Sequence, residues 1–135
     1  RFNPRIQSPV LATGLLQLML PTGRNMASHL GLQETVDHET LKRPSLNIRL
    51  GVGYMKVLLG RLGGHYALVA SGYNAGPHNT AKWLKQRKTW QLDEFVESIP
   101  YRENRRYVKG VLTSALRYGV LYADGAAPKL PLRLP

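Results

Sequence analysis

An apolar segment that ends at a glycine–proline pair constrains the fold of this chain more than any other feature. Residues 66–70 (YALVA) are densely apolar, which predicts a helix in the core. Gly76-Pro77 then stops the helix, because glycine favours a helix end and proline cannot continue the preceding turn. Tyr73 and Asn74 would lie at the closed end of this helix, well placed to point polar groups into a cleft. A buried tyrosine with an ordinary hydrogen-bond partner would give the same local pattern.

The length of 135 residues predicts one domain with a real core, and 43% hydrophobic residues argue against disorder of the whole chain. The absence of cysteine excludes a disulfide framework and a thiolate metal site. No apolar run is long enough to span a bilayer, and no signal-peptide pattern is present. Any export signal would precede Arg1.

The charge of the chain is strongly positive, with 19 Lys and Arg against 8 Asp and Glu, a formal net charge of +11. Such a protein is attracted to polyanions, which include nucleic acid, an anionic membrane surface and peptidoglycan with free peptide carboxylates. The basic residues are spread along the chain with modest clusters at 82–88 and 102–109, and such clusters are usually solvated faces. Charge alone therefore does not choose between these partners.

The periodicity of the apolar residues predicts an all-α fold of several short helices and one long C-terminal helix. After an N-terminal loop through Thr13, the expected helical segments are 21–31, 37–41, 45–62 with Ser45 as its cap, 66–75, 79–86, 92–99 and 102–122. Alternation over 46–52 leaves a strand conceivable there, but the length to Gly63-Gly64 favours a helix. The last helix carries an apolar stripe of Tyr107, Val111, Ala115, Tyr118 and Tyr122.

Four motifs resemble, in order and spacing, those of the SLT (goose-lysozyme-like) lytic transglycosylases. They are FNP at 2–4, GLLQLM at 14–19, YNAGP at 73–77, and FVESIPY at 95–101 followed by ENRRYV at 103–108. The resemblance implies a lysozyme-like all-α domain over residues 1–122. Residues 123–135 are Pro-rich, which predicts an extended tail or linker. The resemblance also implies cleavage of the β-1,4 bond between N-acetylmuramic acid and N-acetylglucosamine, with formation of 1,6-anhydro ends.

The resemblance assigns site residues by motif position. Tyr73 and Glu97 are expected to support catalysis, and the expected substrate contacts are Ser8, Gln17, Met19, Tyr73, Asn74, Glu97 and Tyr107. The acid/base Glu of the family belongs two positions before Arg1 and is not in the chain. We expect no metal or other cofactor, because the four histidines show no ligand spacing.

The partner implied by the resemblance is a peptidoglycan glycan strand. The protein is expected in the periplasm or cell envelope, as a monomer that does not bind nucleic acid, and a peripheral contact with the envelope is compatible with it. Two alternatives stay open: a catalytically inactive peptidoglycan-binding scaffold, and a basic helical nucleic-acid binder. The second is weaker, since the aromatic residues lie in apolar stripes rather than among the basic clusters.

Some positions depart from the family pattern or have a plainer interpretation. Leu11 stands where the family usually has Gly, and Asn104 stands where it has Thr. Met19 at helical spacing is more often a core residue than a ligand contact. The plainer interpretation of Asn74 is that it braces the loop rather than contacts sugar. Glu103 and Arg105 are interpreted as a structural ion pair rather than as substrate contacts.

Overall fold

The computed structural model describes residues 2–86, 91–122 and 130–135. These residues form six α-helices, a 3-10 turn and three isolated β-bridges, and no longer strand occurs among them. The elements are α1 Leu20–His29, a 3-10 turn Thr40–Lys42, α2 Pro44–Arg61, α3 Tyr66–Ala75, α4 Pro77–Gln86, α5 Leu92–Ser98 and α6 Arg102–Tyr122. The all-α prediction is confirmed. Positions 123–129 of the predicted tail and 87–88 of the first basic cluster lie outside the described residues.

The chain divides into two compact units, which we call the N-terminal unit (residues 1–57) and the C-terminal unit (residues 58–135). The division falls within α2. None of the helices in the described ranges combines the length and the apolar character needed to cross a membrane.

In the N-terminal unit, α1 has Pro21 in its first turn and is followed by Gly31, which adopts the left-handed backbone conformation. Gly31 has φ +66°, the Gly31 N–H bonds the Ser28 carbonyl, and the Leu32 N–H bonds the Ala27 carbonyl. This pair of bonds is a Schellman motif, which satisfies carbonyls that the helix end would leave unpaired. The core of the unit contains Ala12, Leu18, Met26, Ala27, Val36, Leu41, Leu46 and Leu50.

The turn before α2 is closed by a reciprocal pair of side-chain bonds. The Thr40 N–H donates to Asp37 Oδ1 at 2.7 Å, and the Asp37 N–H donates to Thr40 Oγ1 at 2.9 Å. Helix α2 then starts at Pro44, so the prediction of Ser45 as the cap is wrong. Proline fits the first helical position because no intrahelical partner exists there for the N–H it lacks. The strand alternative over 46–52 is also wrong, because these residues are helical.

The C-terminal unit is built around α3, which contacts α4 and α6, while α5 packs on α6. Helix α3 buries Ala67, Leu68, Ala70, Ser71 and Gly72, as the apolar segment predicted. The apolar core of the unit is completed by Leu58, Leu62, Trp83, Leu92, Phe95, Val96, Ile99, Val108 and Leu134.

Helix α6 has the predicted bounds, but its apolar stripe is not in the core of the described structure. Asn104 and Val108 are its buried residues, whereas Tyr107 is 37% exposed and Tyr118 is 59% exposed. Tyr118 and Tyr122 stack with ring centroids 5.6 Å apart. The buried positions both lie in the first two turns, so the contacts with α3 and α5 bury that end of the helix.

The last six residues contact the rest of the C-terminal unit. The Leu92 N–H donates to the Leu132 carbonyl at 2.9 Å, and Leu134 is buried. His65 Nε2 lies 2.9 Å from the Pro131 carbonyl, so this nitrogen carries the proton, because a carbonyl can only accept. The division into a domain at 1–122 and a tail at 123–135 stays a prediction.

Candidate active site

The first candidate residue, Ser8, closes a tight turn in the N-terminal loop. Its N–H donates to the Ala12 carbonyl at 2.9 Å, and its Oγ accepts the Ala12 N–H at 3.0 Å. Leu11 lies inside this turn with φ +64°. A non-glycine residue is strained in this conformation, which explains physically why glycine suits the position. Leu11 therefore carries backbone strain that a glycine at this position would not carry.

Gln17 and Met19 follow in a second turn of the same loop. Gly14 has φ +81° and Gln17 has φ +47°. Thr13 and Leu18 form two backbone hydrogen bonds with each other, each N–H donating to the other residue's carbonyl, at 2.9 and 3.0 Å. Gln17 Nε2 donates to the Gly14 carbonyl at 2.9 Å, so the end of this exposed side chain offered to a ligand is the acceptor Oε1. Met19 is 43% exposed, so its interpretation as a core residue is wrong.

A buried asparagine in α2 fixes this second turn. Asn47 Oδ1 accepts the Leu16 N–H at 2.7 Å, and Asn47 Nδ2 donates to the carbonyls of Thr13 at 3.0 Å and Leu41 at 2.9 Å. Its side chain is fully buried and has its bonding capacity largely used. Asn47 is not among the site residues predicted from the sequence. The available signal was an amide beside Leu46 and Leu50 on a helix with apolar periodicity.

In the C-terminal unit, Tyr73 and Asn74 occupy the last turn of α3, where Tyr73 is half-buried and Asn74 is exposed. The predicted helix stop is confirmed, since Gly76 has φ +87° and α4 begins at Pro77. Asn79 Nδ2 caps the end of α3 by donating to the Ala75 carbonyl at 2.8 Å. The turn that carries Tyr73 and Asn74 is therefore held from both helices.

A buried polar network lies directly beneath that turn. Asn104 Nδ2 donates to the Ser71 carbonyl at 3.0 Å and to Asn74 Oδ1 at 2.8 Å. Ser71 Oγ donates to Asn104 Oδ1 at 2.9 Å and lies 2.8 Å from Thr80 Oγ1. Ser71, Thr80 and Asn104 are each at most 1% exposed, and they connect α3, α4 and α6. The sequence marks Asn104 only as a departure from the family pattern and does not indicate this role.

The remaining candidates lie on α5 and α6. Glu97 forms an ion pair with Lys109, and both side chains are exposed. Burial raises the pKa of Tyr107 above its usual 10.0, so its hydroxyl is neutral near pH 7 and can donate. The predicted ion pair of Glu103 with Arg105 is not found among the described residues. The Arg105 guanidinium instead donates to the Ile99 carbonyl and closes the connection between α5 and α6.

The candidates thus fall into one group per unit. Ser8, Gln17 and Met19 lie on consecutive turns before α1. Tyr73 and Asn74 lie at the end of α3, Glu97 lies on α5 and Tyr107 on α6. Two contacts join these helices: Asn104 of α6 bonds Asn74 of α3, and Lys109 of α6 pairs with Glu97 of α5. Their catalytic and binding roles, and the expected absence of a metal, stay predictions.

Residues 1–96 match the transglycosylase SLT domain family. The chain is 34% identical over 113 residues to the soluble lytic murein transglycosylase of Salmonella typhimurium, an alignment that covers 82% of the chain and 17% of the relative. The chain spans about a fifth of the length of the soluble lytic murein transglycosylases of Salmonella typhimurium and Escherichia coli.

Solved structures give the same result. An inactive glutamate-to-glutamine mutant of lytic transglycosylase Slt from Pseudomonas aeruginosa superimposes with a TM-score of 0.87 at 33% identity, covering 98% of this chain and 22% of that one. The complex of the 70-kDa soluble lytic transglycosylase with bulgecin A gives a TM-score of 0.90 at 29% identity, covering 98% and 22%. The family match, the identity and the fold agree, and the chain belongs to the transglycosylase SLT domain family.

Proposed function

We propose that this chain is the catalytic domain of a peptidoglycan lytic transglycosylase. The observation that carries the proposal is the match of residues 1–96 to the transglycosylase SLT domain family. It is supported by relatives named as lytic murein transglycosylases, and these do not favour the alternative of an inactive scaffold. The substrate is the glycan strand of peptidoglycan, cut between N-acetylmuramic acid and N-acetylglucosamine. The proposed location is accordingly the periplasm or cell envelope, with the protein acting as a monomer.

The proposed reaction needs one carboxyl group that acts twice. As an acid it protonates the glycosidic oxygen while the bond from C1 to that oxygen breaks, and the N-acetyl group assists the oxocarbenium-like centre. As a carboxylate it then takes the proton of the muramic C6 hydroxyl, whose oxygen attacks C1 and closes the 1,6-anhydro ring. No water is consumed. By family resemblance, this Glu belongs two positions before Arg1. The inactive glutamate-to-glutamine mutant of the Pseudomonas relative is consistent with an essential carboxyl group in the family.

The contacts of the described residues are consistent with the supporting roles. Gln17 offers an acceptor and Tyr107 a neutral hydroxyl, and both can bond sugar hydroxyls. Glu97 is exposed beside Lys109, and its carboxylate oxygens can accept hydrogen bonds from sugar hydroxyls or amides. Met19 supplies exposed apolar surface of the kind that packs against a sugar ring. We assign Ser8, Tyr73 and Asn74 to the same substrate-binding group by their motif positions.

The test is digestion of purified peptidoglycan by the chain extended with the residues that precede Arg1 in its gene. Mass spectrometry should show anhydro-muropeptides, which are one water lighter than hydrolysed products. The matched control replaces the expected acid Glu by Gln, and the 135-residue chain serves as a second control.

The products decide between the alternatives. Hydrolysed muropeptides without anhydro ends would contradict the transglycosylase reaction, because water would then be the attacking group. Binding without any product from the extended chain would favour the scaffold alternative. Binding of nucleic acid with a steep dependence on salt would favour the basic nucleic-acid binder instead.

A further inference from the structure

The buried polar network fixes which end of the Asn74 amide faces outward. The orientation of an asparagine amide follows from its partners, and the Ser71 carbonyl oxygen can only accept. Asn104 lies 3.0 Å from that oxygen, so the end of its amide at this contact must be the NH2 group. The opposite end, Oδ1, must then accept, and it takes the Ser71 hydroxyl at 2.9 Å. The remaining Ser71–Thr80 contact is left with Thr80 as the donor.

The same NH2 group of Asn104 determines the orientation of Asn74. It lies 2.8 Å from the Asn74 amide, and two NH2 groups cannot bond each other. Asn74 must therefore turn its Oδ1 inward. Because Asn74 is an exposed residue on the last turn of α3, its own NH2 group is the end offered to a ligand. The network is buried, so reversing this orientation would leave Asn104 with an unsatisfied donor.

We infer that Asn74 is a donor-only contact that recognises the acetamido carbonyl oxygen of an N-acetylated sugar, and that Asn104 is the residue that positions it. The inference rests on the proposed function and specifies the chemistry of one of its contacts. A carbonyl oxygen matches a donor-only group because it accepts and never donates, whereas a sugar hydroxyl does both. It accepts more strongly than the ring and glycosidic ether oxygens of the same glycan.

The competing explanation is that Asn74 only braces the turn through its bond with Asn104. Two substitutions separate the explanations. Asn74→Asp keeps an inward oxygen for the Asn104 donor but replaces the outward NH2 group by an oxygen. Asn74→Ala removes both ends. A brace alone predicts that Asn74→Asp binds like the wild type and that Asn74→Ala is the weaker variant. A donor-only contact predicts the reverse order, since an outward oxygen repels a carbonyl.

The experiment measures by calorimetry the dissociation constant of chitotetraose, a neutral probe that carries acetamido groups and no carboxylate. We expect Asn74→Ala to weaken binding about five- to tenfold, and Asn74→Asp to weaken it further. Asn104→Ala should weaken it by a smaller factor, because Asn74 is then free to turn either end outward. Asn25→Asp, at an exposed asparagine of α1, is the control for the added charge. Thermal unfolding of each variant verifies the fold.

The outcomes separate the inference from the proposed function. Wild-type protein that does not bind chitotetraose would contradict the proposed glycan site and the inference with it. Wild-type binding that Asn74→Asp leaves unchanged would overturn the inference alone. The order wild type, Asn74→Ala, Asn74→Asp from tightest to weakest would support both.

Discussion

Replacing Gly14 by Ala tests the packing beneath the second turn of the N-terminal loop. A Cβ at this position would lie 2.3 Å from Asn47 Nδ2 and 2.4 Å from the Leu41 carbonyl oxygen. Distances this short are not tolerated, so Asn47 or the turn must move. Gly14 also has φ +81°, a conformation that costs a non-glycine residue about 1–2 kcal/mol.

The magnitude follows from what the displaced groups lose. Asn47 makes three hydrogen bonds at a fully buried site, and each buried polar group left unsatisfied costs about 1–3 kcal/mol. With one or two of these bonds lost and the left-handed conformation added, we expect Gly14→Ala to lower the free energy of unfolding by about 2–8 kcal/mol. That is a large share of the total, because domains have about 0.05–0.15 kcal/mol of stability per residue.

Urea unfolding followed by far-UV circular dichroism measures the change, with Gly110→Ala as the matched control. Gly110 lies in α6 and a Cβ there meets nothing within 4 Å, so this substitution should raise stability by up to about 1 kcal/mol. In an Asn47→Ala background, Gly14→Ala should lower the free energy of unfolding by less, since one of the two clashing groups is gone. Gly14→Ala within about 1 kcal/mol of the wild type would refute the reasoning, because ordinary surface substitutions cause changes of that size.

Three further predictions concern the loop and two titrating groups. Leu11→Gly should raise the free energy of unfolding by about 0.5–1 kcal/mol in urea unfolding, because relief of the left-handed strain outweighs the entropy glycine adds to the unfolded chain; a loss of stability would contradict the strain. Hydrogen bonds from Thr40 lower the pKa of Asp37 below 3.8. The contribution of Asp37 to the free energy of unfolding is therefore present above that pH and is lost as pH falls through the lowered value. Asp37→Asn should therefore flatten the acid limb of stability against pH, and an unchanged limb would argue against it. Burial raises the pKa of Tyr107 above 10.0, so its contribution to the free energy of unfolding is lost as pH rises through the raised value. Tyr107→Phe should remove this loss of stability at alkaline pH, and a variant that loses stability there as the wild type does would contradict the prediction.

The helices could be predicted from the sequence because apolar periodicity and breakers act locally. The stop at Gly76-Pro77 and the bounds of α6 were confirmed, since glycine at positive φ and proline at a helix start need only their own backbone. The exposure of Tyr118 was not predicted, because periodicity defines an apolar face without defining what covers it. The start of α2 was misplaced by the preference for a serine cap over a proline at the first helical position.

The candidate residues could be chosen by motif, but their supports could not. Gln17 and Asn74 were identified from the resemblance, whereas Asn47 and Asn104 act through contacts 31 and 30 residues away in sequence. Such contacts leave no local pattern, because a polar residue within an apolar period is compatible with a core or a surface position. Only the three-dimensional arrangement shows that these asparagines are buried with their partners in place.

Each of the two buried asparagines holds a segment that carries candidate residues: Asn47 holds the loop before α1, and Asn104 holds the last turn of α3. Each lies in a helix and bonds backbone groups of a neighbouring turn: Asn47 those of Thr13 and Leu16, and Asn104 that of Ser71. A carboxamide suits this role because it supplies donors and an acceptor without charge, whereas an aspartate would face backbone carbonyls with a buried negative charge. In the N-terminal unit, Asn47 of α2 fixes the turn in which Gln17 bonds the Gly14 carbonyl, so that the Gln17 amide offers an acceptor. In the C-terminal unit, Asn104 of α6 bonds Asn74 directly, so that the Asn74 amide offers a donor.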